Sequence, residues 1–189
     1  EAVLPVRHVA PASRQRLDFG VTALDEMLGG GLLPGSSTAL LGVPGSGKTL
    51  LGLTFLINGA RKSEPGLFLG FYEPPDELLA SAERIGLPLR QCVMDGTIDL
   101  LWQPAFAHLF DELTLKVLDR VQRQSVRRLF IDGLDGLRAT ALSDDRFADA
   151  HAALTHRLRS VGVTTLASVN VPNLFGPAVQ EPLDGLTTN

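Results

Sequence analysis

The sequence predicts an α/β domain: a mostly parallel sheet with helices on both faces. Three observations predict it. Five short apolar runs alternate with longer stretches of helical character, the pattern that right-handed strand–helix–strand crossovers impose. Several of the runs are almost continuously apolar, as strands covered on both sides must be. Finally, a glycine-rich segment, GVPGSGKT at Gly42–Thr49, joins the first run to a Leu-rich stretch, the strand-to-helix junction that a phosphate loop requires.

Taken in order, EAVLPVRHVAPASRQR (residues 1–16) is rich in Pro, Ala and Arg and reads as a linker or tail, with the domain spanning residues 17–189. The first strand is SSTALLG, Ser36–Gly42, and the helix after the glycine loop runs over Lys48–Arg61. GLFLGFY, Gly66–Tyr72, is the second strand. A helix over Pro75–Ile85 follows; a proline opens it, and Asp76 and Glu77 favour its N-terminus. TIDLLWQ, Thr97–Gln103, is the third strand. The next helix, Phe106–Gln124, repeats Leu109, Leu113, Val117 and Val121 at helical spacing. RRLFIDG, Arg127–Gly133, is the fourth strand. Ser143 is placed to cap a helix over Asp144–Val161, with Asp144 and Asp145 near its positive end. VTTLASVN, Val163–Asn170, closes the series, and no internal repeat or low-complexity block interrupts it.

Composition bounds the function. The 189 residues are 44% hydrophobic and 20% charged, enough for one globular domain with a substantial core. A single cysteine, Cys92, excludes an internal disulfide framework and fits a reducing cytoplasm. No apolar run is long enough to cross a bilayer, and the N-terminal residues lack the apolar stretch of a signal peptide. A net charge of −4 argues against a dedicated nucleic-acid binder, although the excess of Arg over Lys leaves room for local basic patches. The chain opens on Glu1 rather than Met, so a piece of a longer protein is expected.

The chemistry concentrates in three places. Gly42, Gly47, Lys48 and Thr49 match the phosphate-loop spacing, so Gly42, Val43, Pro44, Gly45, Ser46, Gly47, Lys48, Thr49 and Leu50 are the candidate nucleotide-binding residues. Glycines let successive N–H groups converge on phosphate, and the helix N-terminus adds its dipole. Lys48 is expected to reach the β- and γ-phosphates and Thr49 to bind Mg²⁺. A Gly turn that binds nothing has no use for the Lys–Thr pair. The second place is Asp132, where the apolar run RRLFID ends; a carboxylate there would hold Mg²⁺ through its water shell. Asp135 competes for the role, and either aspartate can equally serve as a cap or turn residue. The third is Glu73, just past the second strand, where ligands collect in open α/β sheets. It is either a catalytic carboxylate that polarises water or an ordinary exposed Glu ahead of a helix.

These residues carry a resemblance. GVTALDEMLGGGLLPGSSTALLGVPGSGKTLLGLTFLINGA, FYEPPDELLASAERIGL, RRLFIDGL and LRSVGVTTLASVN…FGP resemble the KaiC group of RecA-like ATPases, from about Leu17 to Asn189. The resemblance implies a RecA-like P-loop core that binds ATP with Mg²⁺ and is commonly assembled into rings with nucleotide between subunits. The family usually carries two adjacent glutamates where this chain has Tyr72–Glu73, which implies Glu73 as the catalytic carboxylate and slow hydrolysis. Where the family often has a glutamate, this chain has Asn170, a polar group that would sense the γ-phosphate. The family's further C-terminal strands, with a Lys/Arg pair acting on the neighbour's nucleotide, have no counterpart before LDGLTTN. Thr187 and Thr188 fall out of register with the family's autophosphorylation sites, so autokinase activity is not expected.

The remaining features read as structural. His8, His108, His151 and His156 show no metal spacing, and His151 and His156 are expected to be solvated. Trp102 reads as a core or interface residue more readily than a base-stacking one, and Cys92 has no partner that would make it a nucleophile. The function expected is a Mg²⁺-dependent ATP-binding, slowly hydrolysing domain that regulates through assembly as a homo-oligomer or through a protein partner. A nucleotide-gated binding module with little hydrolysis is the alternative, and a DNA recombinase fits the charge less well.

Overall fold

The computed structural model describes residues 15–104 and 110–172. The elements run α1 (Thr22–Met27), β1 (Ser37–Gly42), α2 (Lys48–Ala60), β2 (Gly66–Gly70), α3 (Pro75–Arg84), α4 (Leu89–Met94) and β3 (Ile98–Trp102). There follow α5 (Phe110–Gln124), β4 (Arg128–Asp132), α6 (Leu134–Arg138), α7 (Asp144–Ser160) and β5 (Thr164–Asn170). All five expected strands form, and they pair in parallel in the order β1-β5-β4-β2-β3. The expected helices form too, with ends shifted by one residue where both ends are described. His8, Phe106, His108, Leu109, Thr187 and Thr188 lie outside the described residues. Helices α1, α4 and α6 were not expected; at six, six and five residues they are too short to show a helical period.

The alternation of strand side chains splits the core into two layers. Leu67, Leu69, Leu129, Ile131, Ala167 and Val169 pack against α5, α6 and α7 through Leu113, Val117, Leu137 and Leu154. Phe68, Phe130 and Leu166 face the other way, onto Leu53, Leu56, Leu78 and Leu89 of α2, α3 and α4. Helices therefore cover both faces of a parallel sheet, and the fold is α/β.

A charged side chain is drawn fully into this core. Arg128 opens β4 with no exposed surface. Its Nε donates to Glu64 Oε2 at 2.7 Å, and its Nη1 donates to the carbonyls of Asp18 and Phe55 at 2.6 and 2.9 Å. The guanidinium lies 4.6 Å over the Phe55 ring, and Gly59 is small enough to let its stem pass, since a Cβ there would collide with it. Asn58 and Lys62 reach the same Asp18. The end of α2, the start of β4 and the segment before α1 are thereby tied together.

The structure corrects one expectation. His151 is not solvated but 5% exposed, with its ring 5.3 Å from that of Phe147. It shares a helix face with Phe147, Leu154 and Leu158, which all point into the core. Burial pushes its imidazole below the ordinary value. His156 is exposed as expected, and Ser143 does cap α7, accepting from the Arg146 N–H.

Candidate functional site

The strand order brings the carboxyl ends of β1, β5, β4 and β2 side by side. Register pairs Gly42 with Asn170 and Gly70 with Asp132. The glycine loop, Asn170, Asp132 and the turn that carries Glu73 therefore lie along one rim of the sheet.

Gly45 and Gly47 turn the loop with φ of +79° and +86°, a left-handed backbone that side chains with a Cβ resist. The space a side chain would take at either position is open. Gly47 is the N-cap of α2 and offers no capping side chain, which leaves the first-turn N–H groups as an anion site. Lys48 Nζ donates to the carbonyls of Gly42 and Val43, both at 2.8 Å. The lysine closes over its own loop. Val43 is half-buried, and Pro44, Ser46 and Leu50 are exposed along the rim.

Next to the loop, Thr49 Oγ1 donates to Asp132 Oδ2 at 2.8 Å. Of the two aspartates left open by the sequence, Asp132 is the one that meets Thr49; Asp135 lies exposed in the first turn of α6. Asp132 Oδ1 accepts from Ser168 Oγ at 2.8 Å, and Ser168 in turn accepts from the Gly133 N–H at 2.8 Å. Burial pushes the Asp132 carboxyl above its ordinary value; hydrogen bonds from Ser168 and Thr49 and the charge of Lys48 oppose this, while Glu73 adds to it. A hydroxyl and a carboxylate held together form an all-oxygen pair, the donor chemistry of a small hard cation such as Mg²⁺.

Glu73 is half-buried, and its Oε1 accepts from Ser81 of α3 at 2.9 Å. Helix α3, opened by Pro75, thus orients the carboxylate that precedes it. Tyr72 beside it is 60% exposed. Its ring lies against Gly133, where a Cβ would collide with it. Partial burial, with the nearby charges of Asp135 and Asp132, raises the phenol. Asn170 sits exposed at the end of β5, and Trp102 is partly exposed on the edge strand β3.

Ser168 and Ser81 are the two residues at this rim that the sequence did not single out. A serine inside an apolar strand carries a signal only once the strand order places it next to Asp132. Among the described residues no His/Cys/Asp/Glu group has metal-site geometry, and no helix is long and apolar enough to cross a membrane.

Most of the chain is similar in sequence to known proteins. The family model of the KaiC ATPase matches residues 17–181. The circadian clock oscillator protein KaiC of Prochlorococcus marinus (strain MIT 9313) is 29% identical over 173 residues, 86% of this chain and 34% of that protein. Its namesake in Parasynechococcus marenigrum (strain WH8102) is 30% identical over the same shares. The DNA repair protein RadA of Mycolicibacterium smegmatis is 34% identical over 153 residues, 78% of this chain and 32% of that one. The chain spans about a third of the length of the curated relatives it matches.

Proposed function

Since the chain belongs to the KaiC ATPase family, we propose that it binds ATP with Mg²⁺ at the rim described above and hydrolyses it slowly. The observation that carries this reading is the Thr49–Asp132 hydrogen bond beside the glycine loop: three elements, β1, α2 and β4, bring a phosphate-type loop and an oxygen pair suited to a metal side by side. Lys48 exchanges its bonds to the Gly42 and Val43 carbonyls for the β- and γ-phosphates. The N–H groups of the loop and of the first turn of α2 hold the remaining phosphate oxygens. Thr49 would hold Mg²⁺, with Asp132 behind it, and the ion would supply positive charge beside the phosphate oxygens. Glu73, oriented by Ser81, accepts a hydrogen bond from a water aligned with the γ-phosphate. Asn170 reports on that phosphate from the end of β5. ATP-dependent assembly as a homo-oligomer, or onto a protein partner, then serves a regulatory role in the cytoplasm, with residues 17–189 acting as one domain.

Tyr72 supports a second reading. A phenol stands beside Glu73 where the family resemblance implies another carboxylate, which favours a module that binds ATP and barely turns it over. Phosphate release from Mg-ATP across a range of protein concentrations separates the two, with Lys48→Ala as blank and Glu73→Gln as the catalytic variant. A specific rate that rises with concentration and falls in Glu73→Gln supports hydrolysis at a site completed between subunits. A rate equal to the blank, with ATP still bound, leaves the binding module. No ATP binding sinks both. Salt-dependent retention of single-stranded DNA would move the reading toward the relative named for DNA repair.

A further inference from the structure

Ser168 has no role in the reading above, yet it is the side chain that completes the grip on Asp132. It is 3% exposed and lies two residues after Leu166 on β5, on the sheet face that carries α2. A hydroxyl has one proton to give, and Ser168 gives it to Asp132 Oδ1. Its oxygen accepts the Gly133 N–H, at the left-handed residue that turns the chain from β4 into α6. Thr49 takes the other carboxylate oxygen. The carboxylate is thus fixed from two separate elements, α2 through Thr49 and β5 through Ser168.

We propose that Ser168 is a positioning residue for Asp132, and that its hydroxyl sets how strongly Mg²⁺ tightens nucleotide binding. The proposal rests on the nucleotide-binding reading above. With Ser168 in place, Asp132 keeps Oδ2 aimed at Thr49, and Thr49 keeps its lone pairs free because its proton is already given away. Without the hydroxyl, Oδ1 loses its donor and the buried Gly133 N–H loses its acceptor. The carboxylate is then free to turn toward that N–H and away from Thr49. The loop and Lys48 are untouched, so the phosphate contacts that need no metal persist. A core hydroxyl that merely satisfied Gly133 would lower stability and leave the response to Mg²⁺ unchanged.

The test is the affinity of the chain for a fluorescent ATP analogue, measured in EDTA and then against rising Mg²⁺, with melting temperatures in parallel. In Ser168→Ala the Mg²⁺ concentration for half-maximal tightening rises about 10-fold, the usual size of an outer-shell effect on metal affinity. Affinity in EDTA stays within about twofold of the original, since the ligand's own contacts are kept. Ser168→Cys, close in size but a weak donor, behaves like alanine, while Ser168→Thr keeps the hydroxyl and the original midpoint. Should alanine fail to fold, the Cys and Thr pair decides. A response to Mg²⁺ that is the same in Ser168→Cys and the original chain overturns this proposal alone. So does a Ser168→Thr chain as impaired as the Cys variant, which would place the effect in packing. An original chain whose affinity ignores Mg²⁺ overturns both this proposal and the reading it rests on.

Discussion

Replacing Arg128 by Met removes the charge at the start of β4 while keeping most of the apolar stem. Two of its three hydrogen-bond losses are mild, because the acceptors keep other partners. The Asp18 carbonyl still accepts from Asn58 Nδ2 at 3.1 Å, and the Phe55 carbonyl lies inside α2, within its helical ladder. The cost therefore sits in the ion pair with Glu64 and the contact over Phe55. Truncating a buried pair costs about 3–5 kcal/mol. Glu64 is 33% exposed and can turn to water, which puts Arg128→Met near the low end, at roughly 3 kcal/mol. For a chain of this size that is a drop of about 6–12 °C in Tm. Glu64→Ala is the harsher change: it leaves the fully buried guanidinium with Asp18 Oδ1 at 3.7 Å as its nearest carboxylate. It should reach roughly 4–5 kcal/mol, the upper end of the same range. Urea unfolding followed by circular dichroism, with the slope checked for constancy, measures both. If Arg128→Met costs more than Glu64→Ala, or if each costs under about 1 kcal/mol as a surface pair does, the reasoning is wrong.

Other consequences are equally direct. Tyr72→Glu restores a second carboxylate beside Glu73 and should raise phosphate release by about tenfold or more, within the span of general-base effects, with ATP affinity read alongside. Ser81→Ala frees Glu73 and should lower the rate roughly tenfold, a part of what a general base contributes, with nucleotide affinity unchanged in the same titration. His151 is held neutral by burial, so its folded-state pKa lies below 6.5. The unfolded chain then binds the proton first: this contribution to stability is full above 6.5 and declines as pH falls from there toward the lowered folded value. Melting at roughly pH 8 and pH 5.5 should show a smaller acid loss in His151→Leu than in the original chain.

The strands and the glycine loop were legible because their signals are local. Apolar runs bounded by glycine and proline locate each strand, and the Gly–Lys–Thr spacing locates the loop. The order of the strands was not, since parallel buried strands look alike in composition. Arg128 was hidden for a related reason. In RRLFIDG it reads as a polar flank, and its partners Glu64 and Asp18 lie 64 and 110 positions away. Ser168 was hidden as a small polar residue in an apolar strand, and its partner was known but its neighbourhood was not. His151 is different: Phe147, Leu154 and Leu158 already place it on the core face of its helix, and that spacing was available in the sequence.

The tie at Arg128 also has a mechanical side. Helix α2 is 13 residues long, a hydrogen-bonded rod of about 20 Å. One end is clamped through Asn58, Gly59 and Lys62 to Asp18 and Arg128; the other begins with Lys48 and Thr49. Such a rod transmits a push along its axis with little compression. A load that shifts Asp18 would therefore be carried along α2 toward the threonine that meets Asp132.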